Sequence, residues 1–150
     1  MTVKGEIPRF NTIGIDERRA ADLAIRGTLS GFLGGELRGG HQIRRLEETW
    51  AETFGVKHAI ACNSATSGLL LACMAAGVGK FSKVVVPAYT MSATAAAPAF
   101  LGADIEFGDI YEDTFCLNNF WLRELAAIIR VNLFGHPASL VELRKAADRT

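Results

Sequence analysis

The stretch Asn63-Ser64-Ala65-Thr66-Ser67-Gly68 decides how this chain reads. Before it stands Lys57-His58-Ala59-Ile60-Ala61-Cys62, with the length and composition of a short buried strand. After it comes Leu69-Leu70-Leu71-Ala72-Cys73-Met74-Ala75-Ala76, which is helix-forming. A strand that turns through small hydroxylated residues into a helix leaves the first helical N–H groups without intrahelical acceptors. Those donors, the positive end of the helix dipole and the Ser and Thr hydroxyls suit a phosphate dianion. The plainer reading of the same residues is an ordinary helix cap by Asn63 or Ser64.

Working outward, residues 16–29 read as a first helix whose main apolar positions are Leu23 and Ile25. Ser30 to Gly40 is a glycine-rich loop; it is not GxGxxG and follows no strand, so a dinucleotide fingerprint is excluded there. Residues 41–54 give the clearest helical period, with Ile43, Leu46, Trp50 and Phe54 on one stripe, and Gly55 ends it. The helix from about 65 to 76 is closed by Gly77 and Gly79. Val84-Val85-Val86 reads as a strand buried on both faces. Thr90 to Leu101 reads as helix interrupted at Pro98, and Asp104-Ile105-Glu106-Phe107 as a short strand. A helix over Trp121 to Ala127 should lead into a strand at Ile128 to Phe134, broken by Gly135-His136-Pro137. Ser139 caps a last helix. Strands alternating with helices imply an α/β domain, a three-layer sandwich around a largely parallel sheet.

The chain has 150 residues, 16 basic and 16 acidic side chains, so no electrostatic case exists for nucleic acid or an anionic membrane. Hydrophobic content is 49% and mean hydropathy +0.20, which is greasy for a free-standing domain and points to apolar surface that a partner subunit or further chain covers. Cys62, Cys73 and Cys116 are too far apart for a chelating pair and read as small buried hydrophobes in a reducing compartment. No metal site is expected. Residues 84–103 lack charge but contain Pro87, Pro98 and Gly102 among many Ala, Ser and Thr, which fits a strand, a turn and a buried helix better than a membrane span. A soluble, cytoplasmic protein is expected.

Seven blocks in order carry a family resemblance: Leu46-Glu47, Phe54-Gly55-Val56-Lys57, Asn63 to Gly68, Val86-Pro87-Ala88-Tyr89-Thr90, Leu101-Gly102-Ala103, Asp109-Ile110, and Val131 to Pro137. Together they resemble the DegT/StrS family of pyridoxal-phosphate-dependent sugar aminotransferases, of fold type I. The resemblance implies transfer of an amino group, usually from glutamate, to a nucleotide-linked keto-sugar, feeding polysaccharide or antibiotic synthesis. It implies a homodimer whose active sites form between two subunits. It places the cofactor phosphate on Ser64, Ala65 and Thr66. Two departures stand out. The family has an aromatic that stacks on the pyridine ring where this chain has Met91, and a longer connection between Leu117 and Val131. Asn132, expected at the C-terminal end of a strand, is the further candidate for approach to the ring.

The resemblance also implies that the carboxylate partner of the pyridine nitrogen and the cofactor-bearing lysine lie beyond Thr150. None of Lys4, Lys57, Lys80, Lys83 and Lys145 stands in the family's lysine context, so no catalytic residue is assigned. The expectation is the N-terminal part of the large cofactor-binding domain, with residues 1–56 as helices and glycine-rich loop, 57–150 as α/β core, and no C-terminal domain. Alone, it should bind pyridoxal phosphate weakly or not at all and should not transaminate. The alternative is a non-catalytic remnant or dimerisation module lacking the lysine. A nucleotide module of the NAD type is disfavoured by the missing GxGxxG after residues 57–62.

Overall fold

The computed structural model describes residues 12–27, 39–118 and 125–137, and the chain divides into two compact units, residues 1–61 and 62–150. In the first unit, α1 (Ile15–Arg26) starts where the Gly14 N–H donates to Glu17 Oε2 at 2.7 Å. The backbone N–H of Glu17 itself, together with that of Gly14, holds the Glu17 carboxyl below the usual range. The sequence-based span of 16–29 is thus shortened at Arg26, and residues 28–29 lie outside the described residues. So does most of the glycine-rich loop.

α2 (His41–Phe54) has the bounds that its period implies. It ends because Gly55 takes φ +62, letting its own N–H reach Glu52 O and the Val56 N–H reach Ala51 O at 3.0 Å. The same closure recurs after Gly77 (φ +75) and Gly102 (φ +81) in the second unit. The apolar stripe of α2 lies exposed within this chain, with the Trp50 and Phe54 rings 4.6 Å apart.

Residues 57–62 are not a strand, contrary to the expectation from their composition. They run without ladder bonds among the described residues, and Ile60 is 80% exposed. A strand needs a neighbouring backbone, which these residues lack here. The Ala61 N–H donates to Glu47 Oε1 at 2.7 Å, which ties this segment to α2.

The second unit is built on a parallel sheet in the order β2-β1-β3, where β1 is Lys83–Pro87, β2 Asp104–Gly108 and β3 Ala127–Ile128. Val84 pairs with both Ile105 and Ala127, so β1 is central. Its valines are at most 2% exposed, matching a strand covered on both faces. α3 (Ala65–Ala75) and α4 (Ser92–Phe100) pack on each other. Cys73 and Val78 join Val84 and Val86 in one core cluster, with Ala95, Leu101, Ala103 and Ile105 against it. Burial raises the Cys73 thiol pKa. Fully buried Leu117 and Val85 both close on Gly108: a Cβ placed there would clash with Leu117 Cδ1 and meet Val85 Cγ1 at 3.2 Å.

Three further expectations change. α4 begins at Ser92 rather than Thr90, and Pro98 sits inside it without interrupting it. Because Pro98 falls in the last turn, its missing N–H forfeits one bond and the helix runs on to Phe100. Residues 119–124 lie outside the described residues, but Ala126 is a bend and Ala127 is already in β3, so the expected helix does not reach Ala127. The strand expected at 128–134 is only Ala127–Ile128, extended by the Ile129 N–H bond to Val85 O at 2.9 Å. A 3-10 turn, Leu133–Gly135, replaces its end, with Phe134 at φ +53. Ser139 and the helix it should cap lie outside the described residues. No described helix is long and apolar enough to cross a membrane.

Candidate functional site

Chain order fixes where the ends of the helices in the second unit lie. β1 ends at Pro87 and α4 starts at Ser92, so the N-terminus of α4 lies at the C-terminal edge of the sheet. α3 ends at Ala75, eight residues before β1 begins at Lys83, and packs against α4. Its C-terminus therefore lies at the opposite edge. Its 11 residues span about 16 Å, which carries the Ala65 end toward the same C-terminal edge. Open parallel sheets bind ligands along that edge.

At the N-terminus of α3, Ser64 is extended (φ −161, ψ 159) and its Oγ accepts the Ser67 N–H at 3.1 Å. Ser64 Oγ also lies 3.1 Å from Ser67 Oγ, and Ser64 O accepts the Gly68 N–H at 3.0 Å. Ser64 is thus the helix cap, as the plainer reading has it, and its hydroxyl is committed to that task. The cap accounts for the third and fourth N–H groups of the helix and leaves the first two. Those two, on Ala65 and Thr66, have no acceptor inside a helix. Both residues are exposed. This donor pair, a hydroxyl and the positive helix end fit a phosphate.

The turn is tight. The Cys62 thiol donates to Ser64 O at 3.3 Å, and a Cβ on Gly68 would stand 3.2 Å from Cys62 Sγ. Glycine at 68 lets the sulfur lie against the first helical turn. Gly68 and Ser67, which the sequence reading left in the background, shape the cradle as much as Ser64 does.

The other candidates sit on loops of the same unit. Met91 caps the N-terminus of α4 with extended backbone, and its side chain is 74% exposed. Just before it, Thr90 Oγ1 meets Thr94 Oγ1 at 3.0 Å, and Thr94 is buried. That spacing of four is readable in the sequence as one helical turn. Asn132 is exposed and stands at the head of the 3-10 turn, four residues past the end of β3, not at a strand end as expected.

Sequence reasoning missed an aromatic group on these loops. Tyr89, between β1 and α4, has its ring 5.7 Å from that of Phe115, which lies in the loop after β2. Phe115 in turn meets Phe134 edge-on at 5.9 Å. Phe115 and Phe134 both hold left-handed backbone, at φ +56 and +53, a conformation for which phenylalanine gives no sequence signal. The first unit has an apolar groove between α2 and residues 58–61, lined by Leu46, Trp50, Val56 and Ile60.

The sequence profile of the DegT/DnrJ/EryC1/StrS aminotransferase family matches residues 25–150. GDP-perosamine synthase of Caulobacter vibrioides is 36% identical over 115 residues, covering 73% of this chain and 31% of that protein. The solved structure of DesV from S. venezuelae is 28% identical with a TM-score of 0.74, over 89% of this chain and 37% of that one. A GDP-4-keto-6-deoxy-D-mannose-3-dehydratase of E. coli, solved with bound hydrated pyridoxal phosphate, is 23% identical with a TM-score of 0.78. It covers 93% of this chain and 37% of its own, and it shows likeness of fold. The chain thus spans about a third of the length of the relatives it matches. On the profile match and these relatives, the chain belongs to the DegT/DnrJ/EryC1/StrS aminotransferase family, with the fold type I architecture of its pyridoxal-phosphate-dependent members.

Proposed function

We propose that this chain supplies the phosphate-holding part of a pyridoxal phosphate site. The reaction would be amino transfer, with glutamate as donor, to a keto-sugar carried on a nucleotide. The observation that carries the reading is the division of labour at the head of α3. Ser64 Oγ caps Ser67, and the N–H groups of Ala65 and Thr66 are left for a ligand. Ala65 and Thr66 would hold the phosphate through their N–H groups, and Thr66 also through its hydroxyl. Ser64 acts by keeping the turn in shape. Met91 and Asn132 would approach the ring, Met91 with a thioether where the family stacks an aromatic. When bound, the cofactor supplies an electron sink beside the amino nitrogen; the chain's part is to anchor and orient it.

No catalytic residue in this chain is assigned; the family's lysine and its carboxylate partner belong to segments outside the span matched here. The same reading makes residues 1–150 the N-terminal part of a large domain that pairs as a cytoplasmic homodimer, its exposed α2 stripe available for burial. With an incomplete site, binding of the cofactor by the chain alone is weak and turnover absent.

Equilibrium dialysis of the chain against millimolar pyridoxal phosphate tests the anchor. The expected result is weak binding that inorganic phosphate competes away and that Thr66→Val weakens about tenfold, the worth of one hydrogen bond to a charged group. Binding indifferent to phosphate and to Thr66→Val would contradict the reading.

A further inference from the structure

α4 begins without the usual side-chain cap. Its N-cap residue is Met91, whose backbone is extended and whose side chain makes no capping bond. Serine, threonine, asparagine or aspartate there would turn an oxygen back onto the first helical N–H groups. Methionine forgoes that bond, and its side chain stays 74% exposed at the C-terminal edge of the sheet. Local rules of this kind are broken where a side chain serves another purpose. The helix head is held instead by a bond that straddles the methionine. Thr90 Oγ1, one residue before the cap, lies 3.0 Å from Thr94 Oγ1, in the third helical position. The Thr94 N–H donates to Met91 O at 3.0 Å. Thr94 is 4% exposed, the only buried hydroxyl residue among those described. A hydroxyl taken out of water needs a partner, and here the partner is the residue next to Met91. At the other end of the link, the Ala88 N–H donates to Gly108 O at 2.9 Å. Residues 88–91 are thus tied at both ends.

We infer that Thr90 and Thr94 are positioning residues, whose shared hydroxyl bond fixes the direction in which Met91 presents its thioether. This rests on the reading above that Met91 approaches the cofactor ring. A methionine side chain is unbranched and turns freely about three bonds, so by itself it holds no fixed place against a ring. What the side chain lacks in stiffness its backbone must supply. The threonine pair supplies it, closing residues 90 to 94 into one turn through a side-chain bond and a backbone bond. The plainer role for Thr94 is to fill space in the core with its methyl group. The two roles part on substitution. Valine keeps the volume of threonine and loses the hydroxyl, whereas serine keeps the hydroxyl and loses the methyl.

The test uses NMR on the full chain, labelled at backbone nitrogen and at the methionine methyl carbons, first free and then with millimolar pyridoxal phosphate. In the free parent chain the Met91 amide should be rigid, with an order parameter of about 0.85, falling below about 0.6 in Thr90→Val and Thr94→Val. Thr94→Ser should match the parent. With pyridoxal phosphate, the Met91 methyl should move upfield in the parent and in Thr94→Ser, and by less than half as much in the two valine variants. The Ala65 and Thr66 amides should shift alike in all four proteins. A Met91 amide that stays rigid in both valine variants overturns the inference. So does order that is lost in Thr94→Ser and kept in Thr94→Val, which would make Thr94 a space-filler. An equal methyl shift in all four proteins overturns it too. Should Thr94→Val fail to fold, Thr90→Val decides, because Thr90 is only half-buried. A parent methyl that stays still while the Ala65 and Thr66 amides shift removes Met91 from the ring, and the inference with it. Failure of the phosphate anchor shows separately, in those two amides.

Discussion

Ser64, Ala65 and Thr66 show how far single residues can be read from sequence. A small hydroxylated residue before an apolar helical run is a cap by its chemistry, and the capping bond from Ser67 N–H to Ser64 Oγ is there. The sequence alone left it open whether Ser64 caps the helix or binds a ligand. The geometry assigns the cap to Ser64 and leaves the next two N–H groups for an anion. Phe115 and Phe134 were not legible, because a phenylalanine with positive φ is imposed by its loop and not by its own preference. Gly108 is a third case. Its lack of a side chain matters because Leu117, nine residues on, and Val85 of the neighbouring strand both close on it. Gly108→Ala should overpack that contact and lower stability by about 1–3 kcal/mol. Urea unfolding measures it; an unchanged midpoint would mean Leu117 moves aside freely.

Among the elements, α2 was readable to the residue and the segment at 57–62 was misread. α2 carries its own determinants: an apolar period and a glycine that can adopt the left-handed closing conformation. A strand carries only half of its determinants, since composition describes its faces and not its neighbour. β1 was legible and is real because β2 and β3 flank it; residues 57–62 have no such flank among the described residues. For the same reason the stretch at 128–134 keeps strand character only as far as β1 pairs with it. In the first unit, Glu47 takes the place of a ladder partner for Ala61. Glu47→Ala should therefore speed hydrogen exchange at the Ala61 amide, and Glu47→Gln, which keeps an acceptor oxygen, should largely restore protection. Equal exchange in all three proteins would show that the bond does not order the segment.

For the molecule as a whole, the alternation of strands and helices gave the parallel sheet. The sheet in turn explains why α3 and α4 both begin at one edge, where ligands bind in such folds. Membership of the aminotransferase family fits that edge, and the chain spans about a third of the length of the relatives it matches. The central claim is that the first two N–H groups of α3 hold the cofactor phosphate. The most direct measurement follows the backbone amides of the 15N-labelled chain as pyridoxal phosphate is added to millimolar concentration. Ala65→Pro serves as the control: Ala65 is the first helical residue, where proline deletes one donor and keeps the helix, and extended Ser64 tolerates a following proline. The Ala65 and Thr66 amides should shift most in the parent chain. Ala65→Pro should retain α3 and need about tenfold more ligand to shift Thr66. Largest shifts elsewhere, or a titration that Ala65→Pro leaves unaltered, would contradict it.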